Sequence, residues 1–142
     1  RSPYTRPMRF STALPLLAVT LVLGACQSKQ IDNSVIVDPG PVVSYAADVQ
    51  PIFAASCGGV GCHVGESTNG VDLSTHSKTT GSIGLQYGGR VIVPGDAAGS
   101  PLIDKLGSSP SEGSRMPLGS ASLSATQVEV IKTWINDGAE NN

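Results

Sequence analysis

Aromatic, histidine and cysteine residues are all scarce in this chain of 142 residues. Aromatics make up 4% of it, and there are only two histidines and three cysteines. With so few candidates, no catalytic dyad or triad of a nucleophile and a base can be assembled from the sequence. The glycine-rich stretch 81–89 has neither the Rossmann nor the P-loop spacing, so no phosphate-binding loop is predicted. We therefore predict that the chain is not an enzyme by itself.

The chain also lacks an apolar run long enough to span a bilayer. The run Phe10 to Leu23 follows Arg6 and Arg9 and is shorter than the roughly 20 residues that a membrane span requires. A basic start, a short apolar middle and small residues before a cleavage site predict an export signal over 1–25. Leu23-Gly24-Ala25-Cys26 resembles a bacterial lipobox, which implies cleavage before Cys26 and lipidation of its thiol.

The resemblance to a lipobox also predicts a location. It implies a lipid-anchored protein on the periplasmic side of a Gram-negative envelope, and Gln27 after the lipidated cysteine favours the outer membrane. Met8 begins a compact signal by itself and is an alternative start. Residues 26–43 are polar, without helical periodicity and with Asp38-Pro39-Gly40-Pro41 near their end, so we predict a lipidated cysteine followed by a flexible tether.

Basic residues are outnumbered in the part that remains after cleavage. Removing Arg1, Arg6 and Arg9 leaves six basic against eleven acidic residues, a net charge of −5. This balance disfavours nucleic acid and anionic membrane surfaces as partners. It suits docking onto a basic patch of another protein, and it also serves plain solubility.

The scarce cysteine and histidine residues are concentrated in one motif, Cys57-Gly58-Gly59-Val60-Gly61-Cys62-His63. Two thiols can form thioethers with the vinyl groups of a haem, and the imidazole of the next residue can reach its iron. The motif therefore predicts one covalently bound haem c. The usual gap between the cysteines is two residues and here it is four, so the extra residues must bulge outward, which the glycines allow.

A second axial ligand must come from elsewhere in the chain. Met116 is the one methionine left after cleavage, and it lies in a loop beside Pro117, which restricts the backbone. We predict that its thioether binds the iron opposite His63, although packing in the core is the alternative role. His76 is the competing ligand, but its neighbours Ser74 and Lys78 are polar, so we expect it on the surface.

The remaining sequence predicts a mainly α fold of three to four short helices and long loops in one domain, 44–142. Pro51 suits the first position of a helix that runs toward Cys57 and follows a separate turn. Val71 to His76 is predicted to be an extended piece that leads into a helix start. Ser100 and Pro101 have helix-start chemistry, and Ser124 with Gln127 forms a capping box before the last helix. So small a domain has few large apolar side chains, and a buried haem would supply the missing bulk.

The same segments resemble a family. The matching stretches are Asp48–Phe53, Val71–Ser74, Val93–Asp96, Ser114–Pro117, and Leu123-Ser124 through Trp134–Ala139. Together they resemble the monohaem c-type cytochrome domains common in planctomycete and myxobacterial proteins. The resemblance implies a small cytochrome c-like fold wrapped around one haem. It implies that Cys57 and Cys62 bind the haem. It also implies that His63 and Met116 are the axial ligands of the haem, and that helices at 51–56 and 126–137 pack together beside it.

We therefore predict an exported, lipid-anchored electron carrier with a separate redox partner protein. An alternative role is that of a relay domain for a partner oxidoreductase. The four-residue spacer leaves open whether Cys57 is linked to the haem as well as Cys62. Two other functions stay open at this point. A zinc module could use the two cysteines with His63 and His76, although adjacent Cys62 and His63 fit poorly around one ion. A structural lipoprotein could use the cysteines as a disulfide staple.

Overall fold

The computed structural model describes residues 42–142, and the predicted signal, Cys26 and nearly all of the tether lie outside these residues. The described part is mainly helical, as predicted, with four α-helices, one small hairpin and long loops. Its elements are a π-helical turn at Tyr45–Val49, α1 at Gln50–Ser56, a 3-10 turn at Thr68–Gly70, α2 at His76–Gly81, β1 at Ile83–Gly84, β2 at Gly89–Arg90, α3 at Pro101–Leu106 and α4 at Ala125–Asn136. Within residues 42–142, every helix is too short or too polar to cross a membrane.

The first helical segment begins where the sequence predicted it. The Ser44 hydroxyl accepts a hydrogen bond from the Ala47 N–H at 3.2 Å and so caps the π-helical turn. Pro51 lies in the first turn of α1, where its missing N–H costs no hydrogen bond. Phe53 is fully buried, and α1 ends one residue before Cys57. The helix therefore fixes the position from which the cysteine motif starts.

The middle of the chain forms α2 and the hairpin. Val71 is extended, and Thr75 caps α2 by accepting a hydrogen bond from the Lys78 N–H at 3.3 Å, which confirms the predicted extended piece before a helix start. Strands β1 and β2 are antiparallel, with Ile83 opposite Arg90. The glycine-rich stretch is thus a tight hairpin.

One detail of the predicted helix starts is wrong. Ser100 stands at the N-terminal cap of α3, but its hydroxyl makes no capping hydrogen bond. It instead accepts from the Val93 N–H at 2.9 Å and donates to the Asp96 carbonyl at 2.8 Å. The Ser100 side chain is buried, and its hydroxyl bonds to the turn that precedes α3 instead of to the first turn of the helix.

Helix α4 contributes Ile131, Trp134 and Ile135 to the core. Both halves of the predicted capping box form, with the Ser124 N–H to Gln127 Oε1 at 2.9 Å and the Gln127 N–H to Ser124 Oγ at 3.2 Å. The buried stripe of α4 packs mainly against the π-helical turn, where the rings of Tyr45 and Trp134 are 5.2 Å apart. The helix pair implied by the family resemblance is therefore made chiefly by the turn before Pro51. The core consists of Tyr45, Val49, Phe53, Leu73, Val91, Ile92, Ala97, Leu106, Leu123, Ile131, Trp134, Ile135 and Ala139.

Candidate functional site

The cysteine motif forms a closed loop at the end of α1. The Cys57 N–H continues the helix by donating to the Phe53 carbonyl at 2.8 Å, and the His63 N–H returns to the Cys57 carbonyl at 2.9 Å. Between them Gly59 and Gly61 have φ values of 121° and 74°, which favour glycine. Val60 at the tip is 98% exposed. The spacer thus bulges outward, as the glycines indicated, while both ends of the motif stay together.

The base of this loop lies tightly against α1. A Cβ atom on Gly58 would stand 2.8 Å from the Ala54 carbonyl oxygen, so a larger residue would push the loop away from the helix. Gly58 also pairs with Val64 in an isolated parallel bridge. These contacts hold Cys57 and His63 at a fixed separation in the fold.

The ring of His63 is oriented by a backbone carbonyl. Its Nδ1 lies 3.3 Å from the Val71 carbonyl oxygen. A carbonyl only accepts hydrogen bonds, so Nδ1 is the donor in this contact, and in the neutral imidazole Nε2 is then the nitrogen that carries the lone pair. This is the usual arrangement of a histidine that binds a metal through Nε2, with the other ring nitrogen held by an outer partner.

The segment that supplies this carbonyl is anchored on both sides. The Leu73 N–H donates to the His63 carbonyl at 2.6 Å, and the Asp72 N–H donates to the Ser82 hydroxyl at 2.9 Å. The buried Asp72 carboxylate accepts from the Ser74 hydroxyl at 2.5 Å and the Ser74 N–H at 2.9 Å, and it pairs with the Lys78 ammonium at 3.0 Å. These partners, Ser74 first and then Lys78, lower the pKa of Asp72 to about 2.

Cys57, His63 and Met116 line one solvent-open cleft. Its walls come from the segment after the motif, the hairpin and α3, and they are predominantly apolar. The apolar wall residues are Val71, Leu73, Leu85, Val91, Leu102 and Leu106. No local pattern predicts that the hairpin or α3 faces the motif, because that contact depends on the path of the whole chain.

A second hollow adjoins the cleft and shares Cys57, His63, Asn69 and Met116 with it. Cys62 lines only this second hollow, whereas Cys57 lines both. Burial, with a smaller contribution from Cys62, raises the pKa of the Cys57 thiol to about 11. Both thiols are free in the structure. Cys57, His63 and Met116 are therefore brought together at the cleft, and Cys62 lies at the adjoining hollow.

Met116 reaches this space from the loop after α3. It is half-buried, and its N–H donates to the Lys105 carbonyl at 2.8 Å. The neighbouring Arg115 donates from Nε to the Leu106 carbonyl at 3.2 Å. The loop is thus fastened to α3 by Arg115 and by the backbone of Met116 itself.

His76 was expected on the surface, and that expectation is wrong. It is half-buried, its ring lies edge-on to Tyr45 and Trp134 at centroid distances of 5.0 and 6.0 Å, and its Nε2 is 2.7 Å from the Ala139 carbonyl oxygen. It is not among the residues that line the cleft. Within residues 42–142 there is no cluster of three or more histidine, cysteine or acidic side chains suited to a metal ion, so the zinc module gains no support.

The comparisons with known proteins add little to this geometry. No protein-family model and no curated protein matches the sequence. Among solved structures the chain is similar to Kuenenia stuttgartiensis hydrazine synthase, at 22% sequence identity and a TM-score of 0.41. The match covers 68% of this chain but only 16% of the hydrazine synthase chain. At this TM-score the likeness carries no conclusion about fold or activity.

Proposed function

We propose that residues 44–142 form a haem c-binding domain of cytochrome c-like type whose function is electron transfer. The observation that carries this proposal is His63, whose Nδ1 is held by the Val71 carbonyl in an apolar cleft shared with Cys57 and Met116. A covalently bound haem c would supply a one-electron redox centre in this cleft.

The residues of the cleft fit such a group. The Cys57 and Cys62 thiols are free and lie beside the two adjoining hollows, where they would hold the haem through thioether bonds. His63 leaves its Nε2 for the iron because its Nδ1 is held by the Val71 carbonyl, and Met116 offers a thioether from a different part of the chain. The walls made by Leu73, Val91 and Leu102 would exclude water and keep the local polarity low.

The proposed ligand set argues for electron transfer rather than catalysis by this chain. His63 and Met116 would both ligate the iron, which would leave no position for a substrate. Ligation by an imidazole and a thioether would also favour a high reduction potential. We propose that electrons pass to and from a separate redox partner, and that the excess of acidic residues suits a basic docking patch on it.

The test is the visible spectrum and intact mass of the full chain, exported in a host that matures c-type cytochromes. We expect the mass of one haem, sharp reduced bands, and a weak red absorption from sulfur-to-iron charge transfer in the oxidised protein. Met116→Ala should lose the red absorption and keep the haem. His76→Ala is the matched control, and its spectrum should not change because His76 lies away from the cleft. A colourless protein without added mass would refute the proposal.

The same material tests the attachment sites. If Cys57 forms a thioether, Cys57→Ala should leave one vinyl group free and shift the reduced absorption band, and Cys62→Ala should do the same. An unchanged spectrum and full haem content in Cys57→Ala would show that Cys62 alone is linked.

We further propose that the chain is held at the periplasmic side of the envelope through a lipidated Cys26. Cys26→Ala should move the protein from the membrane fraction to the soluble periplasmic fraction, with its haem content unchanged. A variant that stays fully in the membrane fraction would contradict lipid anchoring at this residue.

A further inference from the structure

The loop that carries Met116 is held by three consecutive residues at the end of α3. We propose that Asp104 and Lys105 are positioning residues that keep the Met116 thioether directed at the cleft; this inference rests on the proposed haem site. The loop in question is 107–116, which leaves α3 at Gly107 and returns to the cleft at Met116.

Lys105 contacts the returning half of the loop at three points. Its ammonium donates to the Glu112 carbonyl and, at 3.2 Å, to the Ser114 carbonyl. Its own carbonyl accepts from the Met116 N–H at 2.8 Å. One residue therefore fixes the backbone of 112–116 from both its side chain and its main chain. Charge-assisted hydrogen bonds of this kind are about twice as strong as neutral ones.

Asp104 fastens the outgoing half of the loop to the opposite wall of the cleft. One carboxylate oxygen accepts from the Ser111 N–H and the Ser111 hydroxyl, both at 2.8 Å, and from the Tyr87 hydroxyl at 2.5 Å. Tyr87 belongs to the connection between β1 and β2 and also lines the cleft, with the Lys105 ammonium 5.6 Å from its ring centroid. The two side chains thus join loop, hairpin and α3 around one side of the site.

The loop has little else to hold it. Its residues are exposed except for Pro110 and Met116, which are half-buried, and none of residues 107–116 belongs to the apolar core. Leu118, just beyond the loop, is 69% exposed. A segment with few buried apolar contacts opens at low free energy unless polar contacts restrain it. The contacts of Asp104 and Lys105, with the Arg115 bond to Leu106, are such restraints.

The experiment uses the haem-loaded full chain and imidazole as a competing ligand for the iron. Lys105→Leu removes the ammonium and keeps an apolar side chain against the cleft without adding a second thioether. Because losing the charge-assisted bonds of Lys105 frees the loop, imidazole should bind the oxidised protein about tenfold more tightly than it binds the wild type. The red sulfur-to-iron absorption should weaken, while the haem content stays the same. Lys132→Leu on α4 is the matched control and should leave both measurements unchanged, since Lys132 pairs with Glu129 on its own helix.

A second variant covers the case in which Lys105→Leu fails to fold. Ser111→Ala removes one donor to Asp104 from an exposed position and should raise imidazole affinity by a smaller factor. Unchanged imidazole affinity and red absorption in a folded Lys105→Leu protein and in Ser111→Ala would overturn the inference while leaving the haem site intact. A wild-type protein without haem would overturn the proposed function itself, and a haem protein without the red absorption would overturn the ligand role of Met116.

Discussion

At the scale of single residues, the orientation of His63 depends on Asp72, which never touches it. Asp72 holds the extended segment through Ser74 and Lys78, and the preceding residue, Val71, offers its carbonyl to His63 Nδ1. The Val71 carbonyl cannot be removed by mutation because it belongs to the backbone. The Asp72 carboxylate, which holds the segment in place, can be changed instead.

Asp72→Asn should therefore lower the free energy of unfolding by about 1–2 kcal/mol at pH 7, after allowing for the exposed side of Lys78. The folded pKa of Asp72 is about 2 and its ordinary value is 3.8, so the carboxylate's stabilisation is complete above pH 5 and disappears as the pH falls through 4 toward 2. Urea unfolding across this range should show wild type and variant converging at low pH. Asp137→Asn, at an exposed position, is the control and should track the wild type. A gap that persists at pH 2 would contradict the role of the charge.

Gly70 is a second residue whose identity follows from its surroundings. Its φ is 81°, and a Cβ atom there would stand 2.2 Å from the Ile83 carbonyl oxygen, which is backbone and cannot turn aside. The residue lies between Asn69, which lines the cleft, and Val71, which holds His63.

Gly70→Ala should lower the free energy of unfolding by more than about 2 kcal/mol, because both the backbone conformation and the contact become unfavourable. Gly81→Ala is the matched control: a Cβ there meets nothing within 4 Å, and Gly81 is the last residue of α2. Urea unfolding of the two variants should give clearly different midpoints. Equal midpoints would show that the hairpin moves aside at little cost.

The environment of His76 could not be predicted from its neighbours in the sequence. Its neighbours along the chain are polar, which predicts exposure, yet the rings that cover it belong to Tyr45 and Trp134, far away in sequence. Local composition carries no information about contacts of this range. The four residues of the proposed haem site were easier to nominate, because cysteine, histidine and methionine are so rare in this chain.

At the scale of elements, starts that depend on neighbouring residues were predicted well. Pro51 and Pro101 lie in the first turns of α1 and α3, and the capping box begins α4, because these signals act over one helical turn. The Ser100 hydroxyl does not cap α3, because it bonds to the Val93 N–H and the Asp96 carbonyl in the preceding turn. The attachment of loop 107–116 to α3 could not be predicted, since it depends on where a ten-residue loop folds back.

The capping box of α4 gives a prediction at this scale. Ser124→Ala should lower the free energy of unfolding by about 1 kcal/mol, since the Gln127 N–H loses its acceptor at the start of the helix that covers the core. Thermal unfolding should show the loss directly. Ser122→Ala, two residues earlier and exposed, is the control and should leave the midpoint within error. A variant as stable as this control would mean that water replaces the cap without cost.

At the scale of the whole described domain, the apolar side chains form one core with two sides. On one side Tyr45, Phe53 and Trp134 pack α4 and the π-helical turn with α1 together. On the other side Leu73 and Val91, which belong to the same core, also line the cleft together with Leu102. A wall of apolar side chains around an open space contributes less stability than the same side chains packed against a partner. The cleft side of the domain should therefore be the less stable side while the space is filled only by solvent.

This division predicts a large difference between the haem-loaded protein and the same chain made without haem maturation. A covalently held haem contacts the cleft walls only in the folded state, so it should raise the free energy of unfolding. One kcal/mol corresponds to about 4–8 °C in Tm for a domain of this size, and we expect a rise of at least about 10 °C. Amide hydrogen exchange should locate the gain in Val71–Leu73, the hairpin and α3, with little change in the buried part of α4. A uniform gain across both sides would mean that the two sides of the core fold as one unit, and equal Tm values would mean that the cleft walls gain nothing from the haem.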